Sequence, residues 1–164
     1  MSGAYYEKLA RINLTTGEIT TESIDLDMAH KFIGGRGLGT KMLYDAGVAT
    51  VDPLSPANQL IYITGPMTGA AAPSTGRYMV VTKSPLTGMI ACSNSGGVWG
   101  TKLKFAGYDA LIVEGAAPEW CYITIEDDKI ELHDATDLKG VMSEEMDAIL
   151  RERHGQEASV LNIG

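Results

Sequence analysis

A chain of 164 residues with 45% apolar and 21% charged side chains holds enough hydrophobic material for one folded domain, which excludes a disordered acidic tail. Its formal charge of −8 argues against non-specific binding to nucleic acid or to anionic membranes. Glycine is in excess at 19 residues, 14 of them between Gly34 and Gly115, so that stretch needs backbone more than side chains.

In chain order, residues 9–14 and 18–24 alternate around Thr15-Thr16-Gly17 and predict a hairpin. Helical spacing runs over 27–33, with Asp25 or Asp27 as N-cap. The glycines of 34–39 interrupt it, and 40–46 reads as helix again. After a turn region at 52–58, residues 60–64 form a buried-strand run that Gly65-Pro66 ends. Strands follow at 78–82 and 89–92, then a helix at 97–105 stopped by Gly107, with Trp99 and Phe105 assigned to the core. A strand at 110–113 precedes a second hairpin, 121–125 and 129–133, whose turn Glu126-Asp127-Asp128 faces solvent. Residues 143–153 make an amphipathic helix with Ser143 as N-cap, and 159–163 open another strand before Gly164. Hairpin, helix, strand and glycine thus occur twice, about 100 residues apart, either by duplication or by recurrence of common elements.

Cys92 and Cys121 stand alone, without a CxxC or metal-ligand spacing. They point to a reducing compartment, Cys92 as a packed core thiol. The N-terminus lacks the apolar region of a signal peptide, and the longest uncharged run, 53–76, contains four prolines. The expectation is a cytoplasmic protein that neither crosses a membrane nor binds nucleic acid.

The informative stretch is 53–101. Its 49 residues carry only two charges, Arg77 and Lys83, and no carboxylate or histidine. General acid–base catalysis needs a group that titrates near the working pH, and none is here. A strand-rich core with tight turns would explain the low polarity. The lack of every acid favours a surface where amides, hydroxyls and an arginine fork meet an anion.

Other motifs carry less. Residues 34–41 approach a phosphate-binding Walker loop, but the Gly-Lys-Ser/Thr ending is inverted to Gly39-Thr40-Lys41 and the loop follows a helix. Gly35-Arg36-Gly37-Leu38-Gly39 is one residue short of a dinucleotide fingerprint. His30, His133 and His154 lie far apart in sequence and read as surface residues. No Gly-x-Ser-x-Gly surrounds Ser93 or Ser95.

Gly-Pro-Met-Thr-Gly at 65–69, Gly-Arg-Tyr at 76–78, Thr-Lys-Ser-Pro-Leu-Thr-Gly at 82–88, Ser-Asn-Ser-Gly-Gly at 93–97 and Leu-Lys-Phe-Ala-Gly-Tyr-Asp at 103–109 resemble the N-terminal domain of the tungsten-containing aldehyde ferredoxin oxidoreductases. Residues 11–17, 34–39 and 52–56 fit the same pattern, so the resemblance covers nearly the whole chain.

It implies an α+β fold of duplicated hairpin–helix–strand units forming mixed sheets with flanking helices, here with residues 1–164 covering the domain and the second unit truncated. It implies an enzyme that oxidises aldehydes to carboxylic acids with ferredoxin as electron acceptor. The cofactor would be tungsten or molybdenum held by two pterins, with magnesium between the pterin phosphates and a [4Fe–4S] cluster nearby. By motif position, Asn94 would offer its backbone carbonyl to the magnesium. Arg77 and the Ser95-Gly96 backbone would contact pterin or phosphate. The cluster cysteines and the acidic and histidine groups near the metal belong to later domains of the family. This chain is therefore expected to supply cofactor-binding residues and no catalytic ones, and to be inactive alone. An uncovered sheet edge makes association with a second copy a further expectation. Two alternatives stay open: a low-potential carboxylic-acid or aromatic-CoA reductase on the same fold, and a non-enzymatic pterin-binding module.

Overall fold

The computed structural model describes residues 3–163; Met1, Ser2 and Gly164 lie outside the described residues. The first hairpin forms as the alternation predicts, β1 (Lys8–Asn13) against β2 (Glu18–Ser23). Helix α1 (Leu26–Phe32) starts at Asp25, whose side chain accepts the N–H of Asp27 at 2.9 Å. Helix α2 (Gly35–Asp45) then begins inside the glycine run that the sequence reads as an interruption. The reason is tertiary. A Cβ at Gly39 would come within 2.9 Å of Val81 and 3.0 Å of Ile63, so a bare helix face lets α2 lie close on the sheet.

Strands β3 (Gln59–Ile63), β4 (Tyr78–Lys83), β5 (Ile90–Ser95) and β6 (Ala110–Glu114) complete a six-stranded sheet of order β2-β1-β6-β3-β4-β5. Only the β1–β6 pair is parallel; its neighbours are antiparallel. Helix α3 (Trp99–Phe105) links β5 to β6. Both faces of the sheet are covered, which is why β3 and β6 read as continuous apolar runs. One face buries Leu9, Ile61, Ile63, Val81 and Ile112 under α1 and α2. The other buries Ala10, Ile12 and Leu111 with Leu103 and Tyr108.

Trp99 packs on that second face with its ring 4.8 Å from Tyr78 and 5.5 Å from Tyr62. Phe105, expected in the core, is exposed instead and lies over Gly69. Its place in the core is taken by Lys104, buried with Asp109 as an ion pair. Asp109 also accepts the N–H of Glu7 at 2.8 Å, and Lys104 donates to the Ala4 carbonyl at 3.0 Å. These bonds satisfy the buried charges and pin the N-terminal segment.

The second hairpin, β7 (Cys121–Glu126) with β8 (Lys129–Asp134), forms a sheet of its own, and α4 (Ser143–His154) packs beside it through Leu150, Met146 and Ile149. Ser143 is the first helical residue, not the cap; Met142 occupies the cap position without a side-chain bond. Hairpin and helix therefore recur, in a mixed α+β fold, but residues 159–163 form no strand. In the first unit β3 has β6 and β4 on either side, whereas 159–163 has no strand partner among the described residues. Val160 packs against the α4 cluster, and Asn162 donates to the Ser143 carbonyl at 3.1 Å.

Candidate functional site

The acid-poor stretch comes together at one end of the large sheet. The ends of β3 and β5, the start of β4 and the turn between α1 and α2 border an open cavity of about 550 Å³. Its floor depends on close backbone approach. A Cβ at Gly34 would lie 3.0 Å from the Gly65 Cα and 3.1 Å from the Thr64 carbonyl oxygen, so only glycine fits. The Gly35 N–H donates to that same carbonyl at 2.9 Å. Thr64 in turn is fixed from behind, its N–H and hydroxyl both donating to the Asp109 carbonyl at 2.9 Å.

Buried Thr68 ties two walls together. Its hydroxyl accepts the Gly65 N–H at 3.0 Å and donates to the Arg77 carbonyl at 3.1 Å. Arg77 directly precedes β4, and its Nη1 donates to Asn94 Oδ1 at 2.6 Å. The β4–β5 register sets Asn94 opposite Met79, and the Asn94 amide nitrogen reaches the Met79 sulfur at 2.9 Å. Both ends of the Asn94 amide are thus engaged, and its oxygen holds one nitrogen of the guanidinium. The other guanidinium N–H groups make no hydrogen bond among the described residues. Among the described residues lining the cavity Arg77 is the sole charged side chain, and no carboxylate competes for it. An unneutralised arginine suits a phosphate or similar anion, whereas the N–H groups of Gly34, Gly35 and Gly65 and the hydroxyls of Thr68 and Thr75 are engaged in bonds within the chain.

Arg77 and Asn94 are thus brought into one site. Gly96, whose added Cβ would lie 3.7 Å from Arg77 Nε, sits beside the guanidinium, and Ser95 pairs with Tyr78; both are outside the cavity lining. Because β5 is an edge strand, no strand covers its outer side among the described residues.

Sequence reasoning passed over Thr68, although its motif was in view, since a buried hydroxyl bridging two backbone segments has no signature in spacing. It also missed Ile33. This residue has φ 69° and ψ −59°, a rare conformation for a β-branched side chain that costs about 1–3 kcal/mol, and its side chain stands exposed on the cavity rim.

The histidines behave unevenly. His30 and His154 are exposed, as expected, and His133 is half-buried. His133 and His154 meet across Tyr122 with ring centroids 5.6 Å apart, and Tyr122 Oη lies 3.0 Å from His154 Nε2. No group of three metal-ligating side chains exists among the described residues. Cys92 packs half-buried against the helix-covered core, and Cys121, half-buried, has its thiol pushed up by burial; both are free. No helix among the described residues is long and apolar enough to cross a membrane.

Residues 9–164 match the family model described as aldehyde ferredoxin oxidoreductase, N-terminal domain. The chain is 49% identical over 158 residues to a tungsten-containing aldehyde ferredoxin oxidoreductase of Pyrococcus furiosus, covering 96% of this chain and 26% of that protein. It is 47% identical over 161 residues to the enzyme of the same name from Pyrococcus horikoshii, again covering 26% of the relative. The chain therefore spans about a quarter of the length of these relatives. Among solved structures it is similar to a chain of the active-site complex BamBC of benzoyl coenzyme A reductase, with a TM-score of 0.91 and 36% identity over 94% of this chain and 24% of that one.

Proposed function

The chain belongs to the family of aldehyde ferredoxin oxidoreductase N-terminal domains, and on that premise we propose that its cavity cradles the pterin of a tungsten cofactor. One observation carries the reading: Arg77 is the only charge in the lining, and Asn94 holds it there without a carboxylate to neutralise it. The donor set fits an anionic, hydrogen-bonding heterocycle better than any substrate needing proton transfer. When bound, the tungsten or molybdenum supplies two-electron redox chemistry. The residues of this chain bind and orient. Arg77 would neutralise phosphate charge, the Ser95 and Gly96 backbone would contact the same group, and the Asn94 carbonyl would help hold a magnesium ion. Thr68 keeps the Arg77 backbone in register with the turn at Gly65.

In this reading the whole protein oxidises aldehydes to carboxylic acids with ferredoxin as electron acceptor, and a [4Fe–4S] cluster would supply one-electron relay chemistry. Its cluster ligands and proton-transfer groups lie outside these 164 residues, and the chain alone is inactive. The likeness to a benzoyl coenzyme A reductase chain supports a second reading, in which the same cradle serves a low-potential reductase.

The test replaces Arg77 by Ala and Asn94 by Ala in the full-length enzyme and measures tungsten and pterin per chain. Severalfold loss of both from Arg77→Ala, with a smaller loss from Asn94→Ala, is expected. Full cofactor content in Arg77→Ala would refute the cradle. A panel of aldehydes and aromatic coenzyme A thioesters, with ferredoxin or dye reduction as readout, separates the two chemistries.

A further inference from the structure

We infer that Ile33 is a ligand-contacting residue whose side chain is held against the flat face of the bound heterocycle, an inference that rests on the cavity holding the pterin. Three hydrogen bonds fix its conformation. The Ile33 N–H donates to the Ala29 carbonyl at 2.7 Å, the Gly34 N–H closes a tight turn onto Phe32 at 2.8 Å, and the Tyr5 hydroxyl donates to the Ile33 carbonyl at 2.8 Å. Such over-determination is what a strained backbone requires to persist.

The choice of residue is what calls for a role. Gly34 and Gly35 follow immediately, yet at the position with φ 69° the chain carries a β-branched side chain. Glycine would remove the strain, so the side chain itself must contribute something. It contributes little to the core, since 62% of its surface is exposed. It stands on the rim with exposed Met67, on the side of the cavity formed by the turn at Gly65 and Pro66. Arg77 and Asn94 line the same cavity and supply its polar groups. A ligand with an anionic group and a flat heteroaromatic body matches both kinds of lining at once.

The experiment uses the full-length enzyme with Ile33→Val, Ile33→Ala and Ile33→Gly, and Arg77→Ala as reference. Pterin released per chain on oxidation is measured by fluorescence, and the cofactor-stripped proteins are melted. Val should retain the wild-type pterin content, while Ala and Gly should each lose it severalfold. The stripped Gly variant should melt above the Ala variant, because glycine relieves the turn. Wild-type pterin in both Ala and Gly, or a Gly variant melting below Ala, would overturn the inference. If Arg77→Ala also kept its pterin, the reading of the cavity would fall as well; loss there with retention in Ile33→Ala would overturn the role of Ile33 alone.

Discussion

Arg11 shows how single residues hold the large sheet in register. Its guanidinium takes both Glu22 oxygens, at 2.6 and 3.2 Å, and Glu114 at 3.0 Å, while Gln59 donates to the same Glu114 oxygen at 2.8 Å. The group therefore ties β2, β1, β6 and β3 across one face. The Arg11 hydrogen bond holds the Glu22 carboxyl below its ordinary value, against a smaller opposing effect of burial. A depressed carboxylate pKa gives stability that is fully present above the unfolded value of 4.5 and is lost as pH falls through the lower folded value. With the Glu22 side chain 39% exposed, solvent screening limits the effect to about 0.5–1 kcal/mol. Glu22→Gln should therefore be less stable than wild type at neutral pH, by urea titration, and the gap should close below pH 4.5. A gap that persisted in acid would show that packing, not charge, is responsible. Arg77 is the contrasting residue: among the described residues its charge is met by an amide alone, and that isolation was legible from the missing acids around it.

At the scale of elements, α2 separates what pattern and packing decide. Glycine at 35, 37 and 39 lowers intrinsic helix propensity, by up to about 1 kcal/mol each, and the sequence accordingly reads an interruption. Helix forms anyway because the sheet wants a smooth face there, with Leu38 and Leu43 buried beside it. Gly39→Val should lower stability by about 1–3 kcal/mol through overpacking against Val81 and Ile63, despite adding a side chain. A denaturation midpoint equal to wild type would contradict the close approach of α2. Phe105 and residues 159–163 erred the other way. Apolar spacing is real in both, but one lies over a glycine loop and the other has no strand beside it.

The whole molecule has two parts unequal in burial, although Ile123, Ile125, Ile130 and Leu132 of the second hairpin pack on one face of the large sheet. The large sheet is packed on both faces, with Ala10, Ile12, Ile61, Ile63, Val81 and Ala110 fully buried. In β7–β8 no residue is fully buried, and the hairpin adds no strand to that sheet. Native-state hydrogen exchange should find β1, β3 and β6 opening only with global unfolding and β7–β8 opening earlier, together with α4. Equal protection in β7 and β6 would mean that the two sheets unfold as one unit. The candidate site belongs to the stable part. Its floor at Thr64 is anchored through Asp109 to the buried pair with Lys104.

Strand alternation and turn glycines are local, and the sequence alone determined them, because each depends on neighbours a few residues away; it narrowed the α1 cap to Asp25 or Asp27, and the structure selects Asp25. The sequence also determined that the candidate cavity is lined without carboxylates, since an acid-free stretch is a property of composition. Tertiary structure decided the rest. Helix α2 through its glycines, the exposure of Phe105, the Thr68 bridge and the strained Ile33 all depend on atoms far along the chain. So does the meeting of His133 with His154. A side chain's environment is set by what the fold brings against it, and no period within a segment records that.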